Sequence, residues 1–296
     1  MQTVVNSVLY GMVASFLYAL TCLPRGLAYW LGARLGDLAY VLLAQRRRIT
    51  QQNLALAFGS EKSPEEQRHM ARATFHNLGR HLVDFSRLRQ LTAAGFAQMC
   101  TVEGLDEVRA LLARRAGLLV LSAHFGSWEL APAVALCLAT PLHVIVRPPD
   151  HPVVRRLVEA YRQRCGYDTI PKRQAFEASS QALRRGEMVA VLMDQSSLRH
   201  EAVEVEFFGI KTYTPVGPAL LALRTGCPVV SAFLVCEKPG QHRLLFSREI
   251  PIHRSGNLRA DLEENTRRFN RVIEASIRRY PEHWFWLHRR WKERPV

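Results

Sequence analysis

The sequence predicts an α/β layer fold, a mainly parallel mixed sheet flanked by helices, carried behind an N-terminal membrane-anchoring helix. Three observations lead there. From about residue 101 short apolar runs alternate with helical patterns, the texture of strand–helix–strand units. Three strand-like runs end at polar residues that can do chemistry: His124, Arg147 and Asp194–Gln195. No Lys, Arg, Asp or Glu occurs before Arg25.

The chain divides into residues 1–24 as a transmembrane anchor, 25–62 as an interfacial amphipathic segment, and 63–296 as the main domain. Val4 to Leu23 reads VVNSVLYGMVASFLYALTCL, about 20 residues, the length that crosses a hydrocarbon core as a helix. A signal peptide would need a positive n-region and a small-x-small cleavage site, and neither is clear. Arg25, Arg34 and Arg46–Arg48 all follow the apolar run, which places the main domain on the cytoplasmic side of the membrane. The next stretch, RGLAYWLGARLGDLAYVLLAQRRR, is interrupted by Arg34 and Asp37. It reads as a helix lying on the membrane with Trp30 and Tyr40 at headgroup depth, or equally as an ordinary core helix.

In the main domain, Ser63, Pro64 and Glu66 form helix-start chemistry. Phe75, Leu78, Leu82 and Phe85 then recur on one helical face, and His76 and His81 on this helix are structural or solvent-facing. AGLLVLSA is a buried strand, followed by a helix over residues 128–139. LHVIV is the next strand, ending at Arg147 and the breaker PPDHP. VVRRLVEAYRQRCG and AFEASSQALRRGE are helices closed by Gly166 and Gly186. MVAVLMD is a strand ending at Asp194, TPVGPALLALRTG a helix, PVVSAFLV a strand, and HRLLFSREI an antiparallel edge.

The chain has 296 residues, is 48% hydrophobic and carries a net charge of +14. It is large enough for a sizeable core, and its charge favours an anionic partner without choosing one. The six cysteines include no CxxC and no Cys/His cluster of zinc spacing, so reduced thiols facing a cytoplasm are the simplest account and no metal site is expected. The C-terminal WLHRRWKERP interleaves tryptophans with cations. No RNP, KH or helix-turn-helix pattern accompanies it, and nucleic acid is not an expected partner.

In an open α/β sheet functional groups gather at the carboxyl ends of strands. SAHFGSWE puts His124 at such an end and Glu129 five residues on. On a continuous helix the two would point apart; across a turn the carboxylate can fold back to fix the imidazole tautomer while the other nitrogen takes a proton. A satisfied core histidine and a helix-start glutamate are the plainer alternative. No GxSxG elbow and no neighbouring cysteine supplies an enzyme-borne nucleophile, so the proton would come from a substrate hydroxyl.

An H-x-x-x-x-[D/E] after a strand resembles the signature of glycerolipid and lysophospholipid acyltransferases. SAHFGSWE, VIVRPPDHP, LMDQS, VEFFGIKTYTPVGPALLALRTGCPVV and HWFWLHRRWKERP, in that order, resemble the bacterial lipid A biosynthesis acyltransferases, the lauroyl/myristoyl type, over most of the chain. That resemblance implies a glycerolipid-acyltransferase-like fold and an O-acyltransferase. It would move a fatty acyl chain from the thioester of acyl carrier protein to a hydroxyl of a phosphorylated glycolipid acceptor, a lipid A precursor, at the bacterial inner membrane. No cofactor is implied beyond the acyl-ACP or acyl-CoA co-substrate. His124 would be the general base and Glu129 would orient it. Arg147 would stabilise the thioester oxyanion or hold a phosphate. Arg164 matches a recurrent family arginine, with a solvated helix charge as the alternative. Asp194 and Gln195 would shape the acyl pocket, position the base, or simply bond backbone. The basic stretch 155–173 would meet carrier protein, sugar phosphates or anionic lipid. His151-Pro152 departs from the family's Asn-Pro, which leaves the acceptor less certain. Another glycolipid or lysophospholipid acylated from acyl-CoA, or an inactive lipid-binding relative, are the other readings.

Overall fold

The computed structural model describes residues 2–291 other than 139 and 164. Four helices precede the sheet: α1 (Gln2–Cys22), α2 (Arg25–Leu42), α3 (Ala44–Phe58) and α4 (Pro64–Arg87). After α5 (Ala93–Met99) come β1 (Cys100–Glu103), α6 (Leu105–Ala113), β2 (Leu118–Ser122), β3 (Leu142–Val146), α7 (Pro152–Arg162), β4 (Asp168–Pro171), α8 (Ala175–Arg184) and β5 (Met188–Leu192). A hairpin of β6 (Ala202–Phe207) and β7 (Ile210–Pro215) follows, then α9 (Gly217–Thr225), β8 (Val229–Lys238), β9 (Gln241–Phe246) and α10 (Leu258–Arg279).

The seven-stranded sheet runs β1-β9-β8-β2-β5-β3-β4, parallel except for the β8–β9 pair. β2 alternates between two cores. Leu119 and Leu121 pack with Leu221, Phe269 and Ile273, whereas Leu118 and Val120 pack with Phe96, Val108 and Leu157. A strand covered on both faces reads as an unbroken apolar run, which is why LLVLS was legible. HRLLFSREI does form the antiparallel β9, but it is not at the edge: β1 covers its far side in parallel register. The helix expected over 128–139 is shorter and tighter, a 3₁₀ run over Ala131–Cys137 with Pro132 in its first turn; β3 begins at Leu142 and leaves little chain for a full helix.

α4 starts where its chemistry says. Ser63 and Glu66 form a reciprocal capping box with Pro64 at the first helical position. α2 and α4 cross at near backbone contact. A Cβ on Gly36 would lie 2.1 Å from the Phe75 carbonyl oxygen, and one on Gly79 would lie 1.9 Å from that of Gly32. Gly32, Ala33 and Gly36 therefore form α2's buried face, while Trp30, Leu38, Val41 and Leu42 stand exposed on the other. Tyr40 turns inward instead, its ring edge-on to Phe75 at 5.4 Å. The chain bends by 91° between α2 and α3, where Arg47 donates to the Tyr40 and Val41 carbonyls at the end of α2.

α1 is long and apolar enough to cross a membrane by length and composition. Val8, Met12 and Tyr18 are exposed on it. Its last turns belong to the body: Leu17 and Leu20 are buried in the second core, Thr21 donates to the Ser86 carbonyl, and Arg87 donates to the Leu20 and Leu23 carbonyls.

Candidate active site

β2 and β5 are neighbours in parallel register, with Ser122 opposite Leu192. Two residues beyond each strand end stand His124 and Asp194, so the register itself brings them together. His124 Nδ1 lies 2.9 Å from Asp194 Oδ1, and the His124 backbone N–H donates to Oδ2 at 3.1 Å. Trp284 Nε1–H donates to the same Oδ2 at 2.7 Å. An ionised carboxylate only accepts, so Nδ1 carries the proton and Nε2 holds the lone pair. Gln195 places its amide nitrogen 3.3 Å from each ring nitrogen.

The electrostatics follow from this pairing. Burial disfavours the imidazolium, but Asp194, by charge and hydrogen bond, outweighs it with help from Glu129, and His124 titrates above its ordinary value. Burial likewise disfavours the Asp194 carboxylate, yet His124 and the Trp284 donor hold it below the usual carboxylate range.

Glu129, expected to brace the imidazole, has a different partner. It forms a fork with Arg162 of α7, Nε–Oε2 2.8 Å and Nη2–Oε1 2.5 Å, with both side chains mostly buried. Local geometry accounts for it: after the turn at Gly126, where φ is +56° and a Cβ would meet the Leu234 carbonyl oxygen at 1.8 Å, Trp128 lies beside the imidazole and Glu129 reaches Arg162 on α7. Asp194 takes the bracing place, one of the alternatives open for it in the sequence. Arg147 follows β3 but points into solvent, its guanidinium 3.2 Å from Asp150; it is not brought to the imidazole. Arg164 lies outside the described residues. His151 is the exposed residue capping α7 before Pro152, with no side-chain cap bond. Among the described residues no cluster of three or more His, Cys, Asp or Glu side chains is placed to hold a metal.

Beside this group opens an apolar cavity of about 410 Å³ between α2, α4 and the turn after β2, within the range of small-molecule pockets. Leu35 and Ala39 line one wall, Leu78, Leu82 and Phe85 another, and Trp128 and Glu129 the side toward the histidine. The Trp128 ring stands 5.5 Å from the His124 ring. The periodic apolar face of α4 is therefore a pocket wall as much as a core face. Sequence reasoning missed Trp128 and Trp284 and placed Arg162 only in a basic patch. Its place inside the H-x-x-x-x-E motif, directly before Glu129, was the signal that could have raised Trp128.

Strand-end histidine, acidic brace and adjacent apolar cavity make an α/β site suited to base chemistry on an apolar substrate. The family model for the bacterial lipid A biosynthesis acyltransferases matches residues 3–293, and the chain belongs to that family. It is 30% identical over 285 residues to a lipid A biosynthesis lauroyltransferase of Escherichia coli K12, covering 94% of this chain and 90% of that protein. It is 28% identical over 276 residues to a lipid A biosynthesis palmitoleoyltransferase of the same organism, covering 93% and 88%. A phosphatidylinositol mannoside acyltransferase of Mycobacterium tuberculosis H37Rv is 31% identical over 165 residues, about half of each chain (53% and 52%). Acyl transfer onto a lipid A-type acceptor is the activity this membership supports.

Proposed function

We propose that the protein moves a fatty acyl chain from an acyl carrier protein thioester to a hydroxyl of a lipid A precursor at the cytoplasmic face of the bacterial inner membrane. The observation that supports this reading is the His124 imidazole, its Nδ1 held by Asp194 and its ring 5.5 Å from Trp128, which lines the apolar cavity. The acyl chain lies in the cavity with its thioester carbonyl at Trp128. An acceptor hydroxyl displaces Gln195, gives its proton to Nε2 and forms the new ester bond to the carbonyl carbon. The tetrahedral intermediate then collapses, the carbon–sulfur bond breaks, and the imidazolium returns its proton to the departing thiolate. Asp194 stabilises the imidazolium in between. Glu129, held in its fork with Arg162, does not compete for the ring's proton, and the two charges act on the imidazole in opposite senses. Solvent-facing Arg147 suits an acceptor phosphate better than the thioester oxygen.

α1 spans the membrane, and the exposed apolar face of α2 rests on it beside the cavity. The mycobacterial relative, named for a phosphatidylinositol mannoside, favours a second reading in which the acceptor is another glycolipid. Mass spectrometry of lipid A from cells with and without the gene tests the acceptor: one added acyl chain is expected, and identical lipid A in the two strains refutes a lipid A acceptor. Purified protein given acyl-ACP or acyl-CoA distinguishes the donor. Replacing His124 with Ala should lower turnover by roughly 10²–10⁴-fold, the usual contribution of a general base.

A further inference from the structure

A second buried carboxylate, Asp84 on α4, plays no part in the chemistry above, yet it collects donors from three distant elements. The Tyr29 hydroxyl of α2 donates to Oδ1. His242 of β9 places Nε2 3.1 Å from the same oxygen. The Ser127 hydroxyl donates to Oδ2. Asp84 is 2% exposed. Burial works against its charge, but His242 and the two hydroxyls outweigh it and the group stays ionised. A buried ionised group is a costly way to tie helices together, since a well-packed apolar cluster does as well or better. Its third partner suggests what else it does.

Ser127 sits in the turn between His124 and Glu129, directly before Trp128. Backbone bonds hold the start of that turn: Gly126 N–H donates to the His283 carbonyl at 2.8 Å, and Phe285 N–H donates to the His124 carbonyl at 2.9 Å. Past Gly126 the Ser127 carbonyl accepts from Leu130 N–H at 2.8 Å, a bond within the turn that does not tie it to the body. Before Trp128 the Ser127 hydroxyl supplies that tie through Asp84, and after it Glu129 is held by Arg162, while the Trp128 N–H donates to the Gly126 carbonyl at 2.9 Å. Ser127 therefore anchors the side of the turn from which Trp128 leaves, and the Trp128 ring is both the neighbour of His124 and a wall of the cavity.

We propose that Asp84 is a positioning residue for acyl transfer: through Ser127 it aims Trp128 and holds the cavity wall at the separation from the imidazole that the reaction needs. The inference rests on the activity proposed above. Small displacements of groups that position a substrate cost rate steeply. Losing the Ser127 hydroxyl should act on turnover, and losing the Tyr29 hydroxyl, which binds the same carboxylate from the α2 side, should act on stability.

The test compares Ser127→Ala, Ser127→Thr and Tyr29→Phe in the full-length protein, with kcat, KM for the acyl donor, the thermal midpoint, and the ¹⁹F resonance of fluorotryptophan-labelled Trp128, assigned by Trp128→Phe. Ser127→Ala should lower kcat about tenfold with KM little changed, and should broaden or shift the Trp128 resonance. Ser127→Thr should recover most of the loss. Tyr29→Phe should lower the thermal midpoint while kcat of the folded protein stays within about twofold and the Trp128 resonance stays put. Equal losses in both hydroxyl variants that track only the thermal midpoint, or an unmoved Trp128 resonance in Ser127→Ala, would overturn the proposal. If the unmodified protein transfers no acyl chain, the activity reading fails by itself, and the resonance still decides whether Ser127 orients Trp128.

Discussion

Two of the protein's aspartate–histidine pairs share one chemistry in different settings. Asp194 meets His124 at 2.9 Å, and Asp84 meets His242 at 3.1 Å. Both aspartates are buried, and in each case burial opposes the charge while the histidine and hydrogen-bond donors outweigh it. The pairs differ at the far side of the imidazole. The His124 side chain is 27% exposed and stands beside Trp128, a wall of the apolar cavity, with its second nitrogen 3.3 Å from Gln195. The His242 side chain is 0% exposed, and its Nδ1 is sealed in the interior without a partner. An aspartate–histidine pair is a base only where the imidazole can meet a hydroxyl from outside. Where it cannot, the same two groups are a brace.

The largest effects should separate the two pairs by kind. His124→Ala should abolish most turnover while the protein stays folded, because the ring is partly exposed and Asp194 keeps its donors from Trp284 and the His124 backbone. His242→Gln should do the reverse. Leaving the buried Asp84 carboxylate short of a hydrogen-bond partner costs about 1–3 kcal/mol or more, so the thermal midpoint should drop by several degrees while the folded fraction keeps turnover within about threefold. Thermal unfolding followed by circular dichroism, with activity normalised to folded protein, reads both. Loss of turnover per folded molecule in His242→Gln would make the second pair part of the chemistry and end the contrast.

Asp194→Asn comes next. It keeps the shape and removes the charge that lifts His124, so turnover should fall by about 10²–10⁴-fold, since an amide can hold the wrong tautomer. The pH dependence carries the sign. Activity needs the neutral imidazole, so it falls as pH drops through the folded value of His124. In the unmodified protein that limb should lie above about 6.5, the ordinary imidazole value, because Asp194 outweighs burial. In the Asp194→Asn variant no carboxylate charge opposes the burial of the imidazolium, and the limb should move to lower pH. A kcat/KM profile from pH 5 to 9 checks both; a limb that does not move would remove Asp194 from the control of the base.

Much of this was legible in the sequence, and the gaps have physical reasons. β2 and β5 were readable because both faces are covered, and α4 because its cap residues are local. His124 and Asp194 were each placed at a strand end from the runs preceding them. Their partnership was not visible, because it depends on β2 and β5 being neighbours in a register that no short stretch encodes. Glu129 was assigned to His124 on sequence proximity, whereas its partner Arg162 is 33 residues away on α7. Trp284 reaches Asp194 across 90 residues. The short strands β1 and β4 carry too few residues to show a period, and β1 takes its place in the sheet by pairing with β9, far along the sequence.

Glu129 gives the smallest and sharpest test of the contrast, since it is a carboxylate near the His124 ring that is not hydrogen-bonded to it. Glu129→Gln keeps the side chain's volume and one acceptor for Arg162 but removes the negative field. If Glu129 acts through charge alone, turnover should fall by about tenfold, the acid limb should move down by less than in Asp194→Asn, and acceptor KM should change little. Arg162 would be left as a mostly buried cation with a weaker partner, so Arg162→Gln in the same background should restore stability without restoring rate. A loss in Glu129→Gln as deep as that in Asp194→Asn would mean that Glu129 leaves Arg162 and reaches the ring when substrate binds. The turn at Gly126 would then be mobile during the reaction, and the brace that Asp84 gives Ser127 would matter most while that turn moves.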